Sequence, residues 1–312
     1  MFRKKDALLL ITSYTTMAVG IFLPQLAEPL RVVPMACVMF MLFLSFLAVD
    51  LGRVVGCALE APLDTVRLLT AKCLLLPLVA FLFYRTFWPQ YELAALLMAG
   101  ASTAVLAPFF ARLLQADVGL TTAGVILSSM VLPFTLPTLV SWLAGANLQV
   151  GVLAMVQMLA MMIFVPALSG RACQRWLPRS TDWLLRHHYP LCLGAIALTN
   201  VGVFSRYSEH FRRDPVLALE AMAAAGLLVV VALLVGSLLI RGMTPCYRSA
   251  ARVCISFPNY ILILAFSSQF FGPQEATFAA TYSVPFFLQV LILRQWIGEP
   301  AAGVEEGVEE EQ

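Results

Sequence analysis

Charge is scarce in this sequence. Asp, Glu, Lys and Arg make up 12% of its 312 residues, against about a quarter in a soluble domain. So little charge excludes an ordinary water-facing surface. Histidine is scarcer still, with three residues, and the seven cysteines (Cys37, Cys57, Cys73, Cys173, Cys192, Cys246 and Cys254) contain no CxxC pair. The cysteines lie mostly inside apolar runs, where they read as small membrane-helix residues, neither disulfides nor a metal site. A glycine-rich phosphate loop, a metal-ligand cluster and a nucleophile beside a base are all missing, so nothing points to an enzyme. No cofactor and no nucleic-acid partner are expected. The net charge of +2 says little, because in a membrane protein the position of charge outweighs its sum.

What the sequence has instead is apolar length. Hydrophobic residues make up 61% of it, in runs of about 20 residues that recur from end to end, which is the pattern of a polytopic helical membrane protein in a lipid bilayer. Ten spans are expected, at about 7–24, 32–50, 65–84, 92–114, 118–143, 149–168, 189–207, 216–240, 251–271 and 275–296. The start MFRKKDALLLITSY imitates a signal peptide, but no small-x-small cleavage site follows it, so it counts as the first span. With the N-terminus in the cytoplasm, fourteen of the twenty Lys and Arg fall inside, five fall outside and Lys72 remains. That bias places both termini in the cytoplasm of a multi-pass cell-membrane protein. The tail EEGVEEEQ is then a solvated cytoplasmic end.

Ten spans divide into two fives, and an odd number makes the second copy start on the opposite side of the membrane. The expected units are an inverted repeat of residues 1–146 and 147–298, followed by the acidic tail 299–312. Residues 107–134 can be laid beside 257–286: Pro108 and Pro258 stand in the fourth span of each half, and Pro133-Phe134 and Pro285-Phe286 follow. Chance similarity between apolar segments is the competing explanation. A proline donates no backbone hydrogen bond and turns its predecessor away from helical geometry. In a membrane such a break must line a cavity or be packed in protein. Proline also suits the first turn of a helix, so Pro108 and Pro258 can open new half-helices whose free N–H groups favour an anion. Ser256 is a plausible N-cap and Asn259 a polar handle at the same depth. Ala107, Pro108, Ser256, Phe257, Pro258 and Asn259 are therefore the expected substrate-binding residues. Plain proline kinks are the alternative, and two breaks in matching positions favour a site.

These features resemble the bile acid:sodium symporter family, most clearly in GASTAVLAPFFARLLQADVGLTTAGVILSSMVLPFTLPTLVSWLAG (100–145). The resemblance implies an all-α fold of ten transmembrane helices in two inverted five-helix repeats, with broken, crossed fourth and ninth helices. It also implies an organic anion held between a core and a panel domain, each formed from both repeats, with two sodium ions behind the crossing. Carried over residue by residue, a fifth-span hydroxyl falls at Thr121, and a Ser-Asn pair falls near Ala107-Pro108, which offer no side-chain oxygen. In the ninth span the family's Glu-x-x-x-Gln-Asn falls on Cys254 to Asn259: the Asn is kept, Cys254 replaces the Glu and Pro258 the Gln. A third-span glutamine that binds sodium aligns with Lys72. Sodium is a hard cation that wants oxygen ligands, so these departures argue against two-sodium coupling.

Lys72 lies near the middle of an apolar run, where a charge costs about 2.5–3.5 kcal/mol on insertion scales. Two explanations stand. Its ammonium takes the place of a family sodium ion, behind the two half-helix starts, and by releasing its proton in one state couples transport to protons. Or, about 10 Å above the start of its helix, it snorkels to the interface. With Lys72, Thr121 and Cys254 as the coupling-ion position, the expected function is secondary active transport of a small organic anion, a carboxylate or sulfonate like a bile acid or pantoate, by alternating access with weak or no sodium dependence. A transporter-derived sensor or structural protein is one rival. A membrane prenyltransferase is another, but it needs clustered acidic residues for a metal diphosphate, and the intramembrane carboxylates are too few. Gln157, Asn200, Gln269 and Gln289 read as interhelical glue, and Glu220 as either interfacial or cavity-facing.

Overall fold

The computed structural model describes residues 4–25, 27–48, 51–145, 151–213 and 215–297. The acidic tail lies outside them. Among the described residues every regular element is a helix, and β pairing is confined to one isolated bridge. The order is α1 (Lys4–Phe22), α2 (Pro34–Leu47), α3 (Leu51–Glu60), α4 (Pro62–Thr70), a π-turn (Ala71–Leu75), α5 (Leu76–Phe87), α6 (Glu92–Gly100), α7 (Ala107–Leu113), α8 (Val118–Ala144), α9 (Val152–Trp176), α10 (Pro178–Arg186), α11 (His188–Arg206), α12 (Ser208–Arg213), α13 (Pro215–Leu239), α14 (Pro245–Ser256), α15 (Tyr260–Phe270), α16 (Pro273–Thr281) and α17 (Ser283–Ile297). Among the described residues four stretches are long and apolar enough to cross a membrane: Pro62–Phe87, Val118–Ala144, Val152–Trp176 and Pro215–Leu239. Their outward faces carry exposed Leu82, Leu153, Leu168, Leu234 and Leu238. Facing water, such a surface would drive aggregation; facing lipid, it is simply solvated.

Local chemistry sets the helix ends. Proline occupies the first turn of α2, α4, α7, α10, α14 and α16, where its missing N–H costs nothing. Asp117 caps α8 by accepting the Leu120 N–H at 2.6 Å. Gln115 ends α7 in the left-handed region at φ 55°, and the Ala116 N–H reaches back to the Ala111 carbonyl at 2.8 Å. That pair of features is a Schellman closure, with Gln115 where glycine usually stands. The π-turn has its cause in Pro77. Without an N–H there, the Cys73 carbonyl loses its i+4 donor, and the Leu76 N–H bonds Ala71 one residue further back.

Three expected spans are not single helices. The fourth is α6 and α7, the ninth α14 and α15, and the tenth α16 and α17. The tenth interruption at Tyr282 follows from Pro285, which cannot donate to the Thr281 carbonyl. The loops after the second and sixth spans carry the amphipathic helices α3 and α10, whose short polar-apolar alternation is easily passed over beside longer apolar runs.

Packing forms two groups. In one, α11 packs on α1 and on α2, and α2 on α9, which also packs on α8 of the other. Gly20 lets α1 close on α11, since a Cβ there would lie 2.8 Å from Phe204 Cβ. Gly202 is tighter: a Cβ would overlap the Leu30 carbonyl oxygen and come within 2.8 Å of Pro34 Cγ. A backbone carbonyl cannot swing aside. Gly202→Ala is therefore expected to destabilise the protein by about 1–3 kcal/mol, read as a lower thermal transition of the solubilised chain. In the second group α5, α6, α8, α13, α14 and α16 surround the breaks. Tyr84 donates its hydroxyl to the Ala224 carbonyl, tying α5 to α13, and its ring meets Phe278 of α16 edge-on at 6.4 Å.

Candidate functional site

The two broken helices meet at their breaks. α6 ends at Gly100 and the chain unwinds until Ala107; α14 ends at Ser256 and resumes as a helix at Tyr260. Thr103 and Pro258 face each other in the antiparallel bridge. The Ala104 N–H donates to the Phe257 carbonyl at 2.7 Å, and the Asn259 N–H to the Ser102 carbonyl at 2.8 Å. Each break thus satisfies part of the other's backbone, which is what an interrupted helix needs when no water is near. Side chains finish the joint. The Thr103 N–H donates to Ser128 Oγ of α8, and Thr103 Oγ1 donates to the Cys254 carbonyl, both at 3.0 Å. Phe110 stacks on Phe257 at 4.4 Å, with Phe286 edge-on to both.

The candidate residues fall into different positions. Asn259 is at the joint and caps α15, its Oδ1 accepting the Leu262 N–H at 3.3 Å. Ser256 does not cap that helix: it closes α14, and Asn259 holds the N-cap position of α15. Phe257 and Pro258 are in the bridge itself. Ala107 and Pro108 are not. They open α7, whereas the contact is made upstream by Ser102, Thr103 and Ala104. A proline tolerated in a first turn marks where a helix resumes, not where the preceding one unwound. Thr121 is buried with its hydroxyl bonded to the Asp117 carbonyl at 2.6 Å, inside its own helix. Its carbonyl faces Cys254 Sγ at 3.8 Å, and Gly124 makes room for that sulfur.

Lys72 is the charged centre of this region. It is 1% exposed, so its ammonium does not reach an interface. Nζ lies 3.3 Å from the Ile255 carbonyl and 3.5 Å from the Ala99 carbonyl. Both distances are long for N–H···O bonds. The identity of the two acceptors matters more. Ala99 is in the last turn of α6 and Ile255 in the last turn of α14, where carbonyls have no intrahelical donor and the helix dipole is negative. The ammonium therefore sits at the C-terminal ends of the half-helices that precede the breaks. The sequence pattern had pointed to the opposite side, at the half-helix starts, because prolines advertise helix beginnings and nothing advertises a carbonyl end. No salt bridge to Lys72 occurs among the described residues, and no group of three His, Cys, Asp or Glu side chains there could hold a metal. Ser102 Oγ is buried without a partner.

Ala99, Ser102, Thr103 and Ser128 were not singled out from the sequence. The run Gly100-Ala101-Ser102-Thr103, small and polar just ahead of Pro108, was the available signal.

The Sodium Bile acid symporter family matches residues 35–240, about two thirds of the chain. The chain belongs to that family. Its members are transporters of small organic substrates across membranes, so this is a membrane transport protein and not an enzyme. The family match takes in Lys72 and the first break and ends before the second. No curated protein matches the chain.

Proposed function

We propose that the chain is a secondary active transporter of a small organic anion, working by alternating access with little or no dependence on sodium. The observation that carries the reading is Lys72. Transporters bind coupling cations with unwound backbone and the C-terminal ends of half-helices, and here those ends face a tethered ammonium. A fixed cation holds the two carbonyl ends together without sodium. In this proposal the ten-span inverted repeat stands, with residues 1–146 and 147–298 as its halves, α6–α7 and α14–α15 as its crossed helices, and both termini in the cytoplasm of the cell membrane. Asn259, Ser256, Phe257, Pro258, Ala107 and Pro108 would line the substrate path, with Thr121 and Cys254 beside Lys72.

An anionic substrate is supported by a polar cavity beside the first group of helices. A cavity of about 230 Å³ opens among Arg31, Met35, Arg206, Ser268 and Gln269. It spans α2, α11 and α15 and places two guanidinium groups beside an apolar wall, suited to a carboxylate or sulfonate on a hydrophobic body.

The test is uptake of labelled taurocholate and labelled pantoate into proteoliposomes, with sodium replaced stepwise by potassium at fixed ionic strength. Uptake of one of them is expected, changing less than about twofold across the series. A steep, saturable sodium requirement would show that backbone carbonyls and hydroxyls suffice as ligands. Saturable binding of either anion without uptake would favour a sensor derived from a transporter.

A further inference from the structure

A second basic cleft lies between the end of α13 and α14. It measures about 410 Å³ and is bounded by Leu234, Ser237, Leu238, Ile240 and three arginines, Arg241, Arg248 and Arg252. Arg248 and Arg252 are four residues apart on α14 and share one face. Arg248 is held by the backbone, Nε donating to the Met243 carbonyl and Nη2 to the Arg241 carbonyl, both at 2.9 Å. Those two bonds fold the turn after α13 back on α14 and bring Arg241 to the same cleft. Arg252 Nε is buried and has no acceptor. Among the described residues none of the three pairs with a carboxylate.

Three arginines lining one cleft, with no carboxylate paired to them among the described residues, repel one another unless an anion lies there. An excess of arginine in a cytoplasmic loop does not require this arrangement, because loop arginines can point apart. The planar guanidinium fork matches phosphate oxygens. The floor of the cleft is apolar and continues outward: Val230, Leu234 and Leu238 are exposed at successive turns of α13. A ligand with an anionic head and a hydrocarbon tail would match both surfaces.

We propose that this cleft binds an anionic phospholipid, its phosphodiester held by Arg241, Arg248 and Arg252 and an acyl chain lying along Val230, Leu234 and Leu238. The charge complementarity and the continuous apolar stripe select a lipid over a free anion, which would leave the stripe unused. The headgroup would tie the end of α13 to α14, the helix that leads into the second break.

The full chain is solubilised and its thermal transition followed as phosphatidylglycerol, phosphatidylcholine or inorganic phosphate is titrated in. Phosphatidylglycerol is expected to raise the transition saturably and phosphatidylcholine to leave it unmoved. Removing one arginine should raise the half-saturating phosphatidylglycerol level about fivefold, in Arg252→Gln and in Arg241→Gln alike, while Arg252→Lys keeps most of the response. Arg248 is left intact because it holds the turn. If Arg252→Gln does not fold, Arg241→Gln, on the exposed rim, decides alone. An equal response to both lipids, or Gln variants that respond like the parent, overturns the site. Inorganic phosphate alone giving the full shift, with no further gain from phosphatidylglycerol, overturns the lipid as its occupant.

Discussion

Lys72→Met is expected to lower transport about a hundredfold while the protein still folds. The substitution keeps the bulk of the side chain and removes the ammonium that donates to the Ala99 and Ile255 carbonyls. A hydrogen bond from a charged donor is worth about 1.5–3 kcal/mol. Because both contacts are long, the low end applies, and two of them give about 3 kcal/mol, or about two powers of ten. Stability should move less, because losing the ammonium also removes the cost of burying it without a carboxylate partner. Lys72→Gln returns a neutral amide with one oxygen. It is expected to regain part of the activity, in proportion to added sodium, since that oxygen can serve as a ligand. A cation drives a cycle only if its interactions differ between states. Uptake in the parent should therefore vary with pH and in Lys72→Gln should not. Uptake rates and thermal transitions for the three proteins, measured together, check all of this, and a fully active Lys72→Met protein would reduce the lysine to a spacer.

Ala104→Pro is expected to prevent stable folding. Ala104 is buried in the first break, and its N–H is the donor to Phe257 at 2.7 Å. Proline removes that donor, brings a ring against the preceding residues and leaves the Phe257 carbonyl without this partner, at a cost of about 3 kcal/mol or more. That is a large part of the stability of a typical domain. Ala104→Ser keeps the N–H and adds one oxygen, so it should stay near the parent. The measurement is the fraction of protein that remains monodisperse on gel filtration after graded heating. Parent-like survival of the proline variant would mean that the joint between the breaks contributes little.

The sequence carried the broad outline well because membrane helices announce themselves by length and by the lack of charge. Val118–Ala144 and Pro215–Leu239 lie within a residue or two of their expected bounds. It carried the breaks less well. Pro108 pointed to an interruption but stands inside α7, since proline is comfortable at a helix start, while the unwound residues Ser102 and Thr103 are merely small and polar. The surroundings of Lys72 were hardest to read. Its acceptors are main-chain oxygens of an alanine and an isoleucine, groups that every residue possesses and no side-chain pattern marks. The π-turn that carries Lys72 depends on Pro77, five residues downstream, and that proline looks like any other in an apolar run.

The joint between the two breaks also bears on how the chain is made. Thr103 and its acceptor Cys254 are separated by 151 residues, and a ribosome adds about 5–20 residues per second. The first break therefore waits roughly 8 to 30 s for the segment that takes the Thr103 hydroxyl and, three residues on, the Ala104 N–H. During that interval the Ala104 N–H must be held in water, in the insertion channel or against temporary neighbours, because hydrocarbon offers it nothing. Synthesis speed and insertion are coupled here: the amino-terminal half cannot settle in the bilayer on its own schedule, and its last structural step belongs to the carboxyl-terminal half.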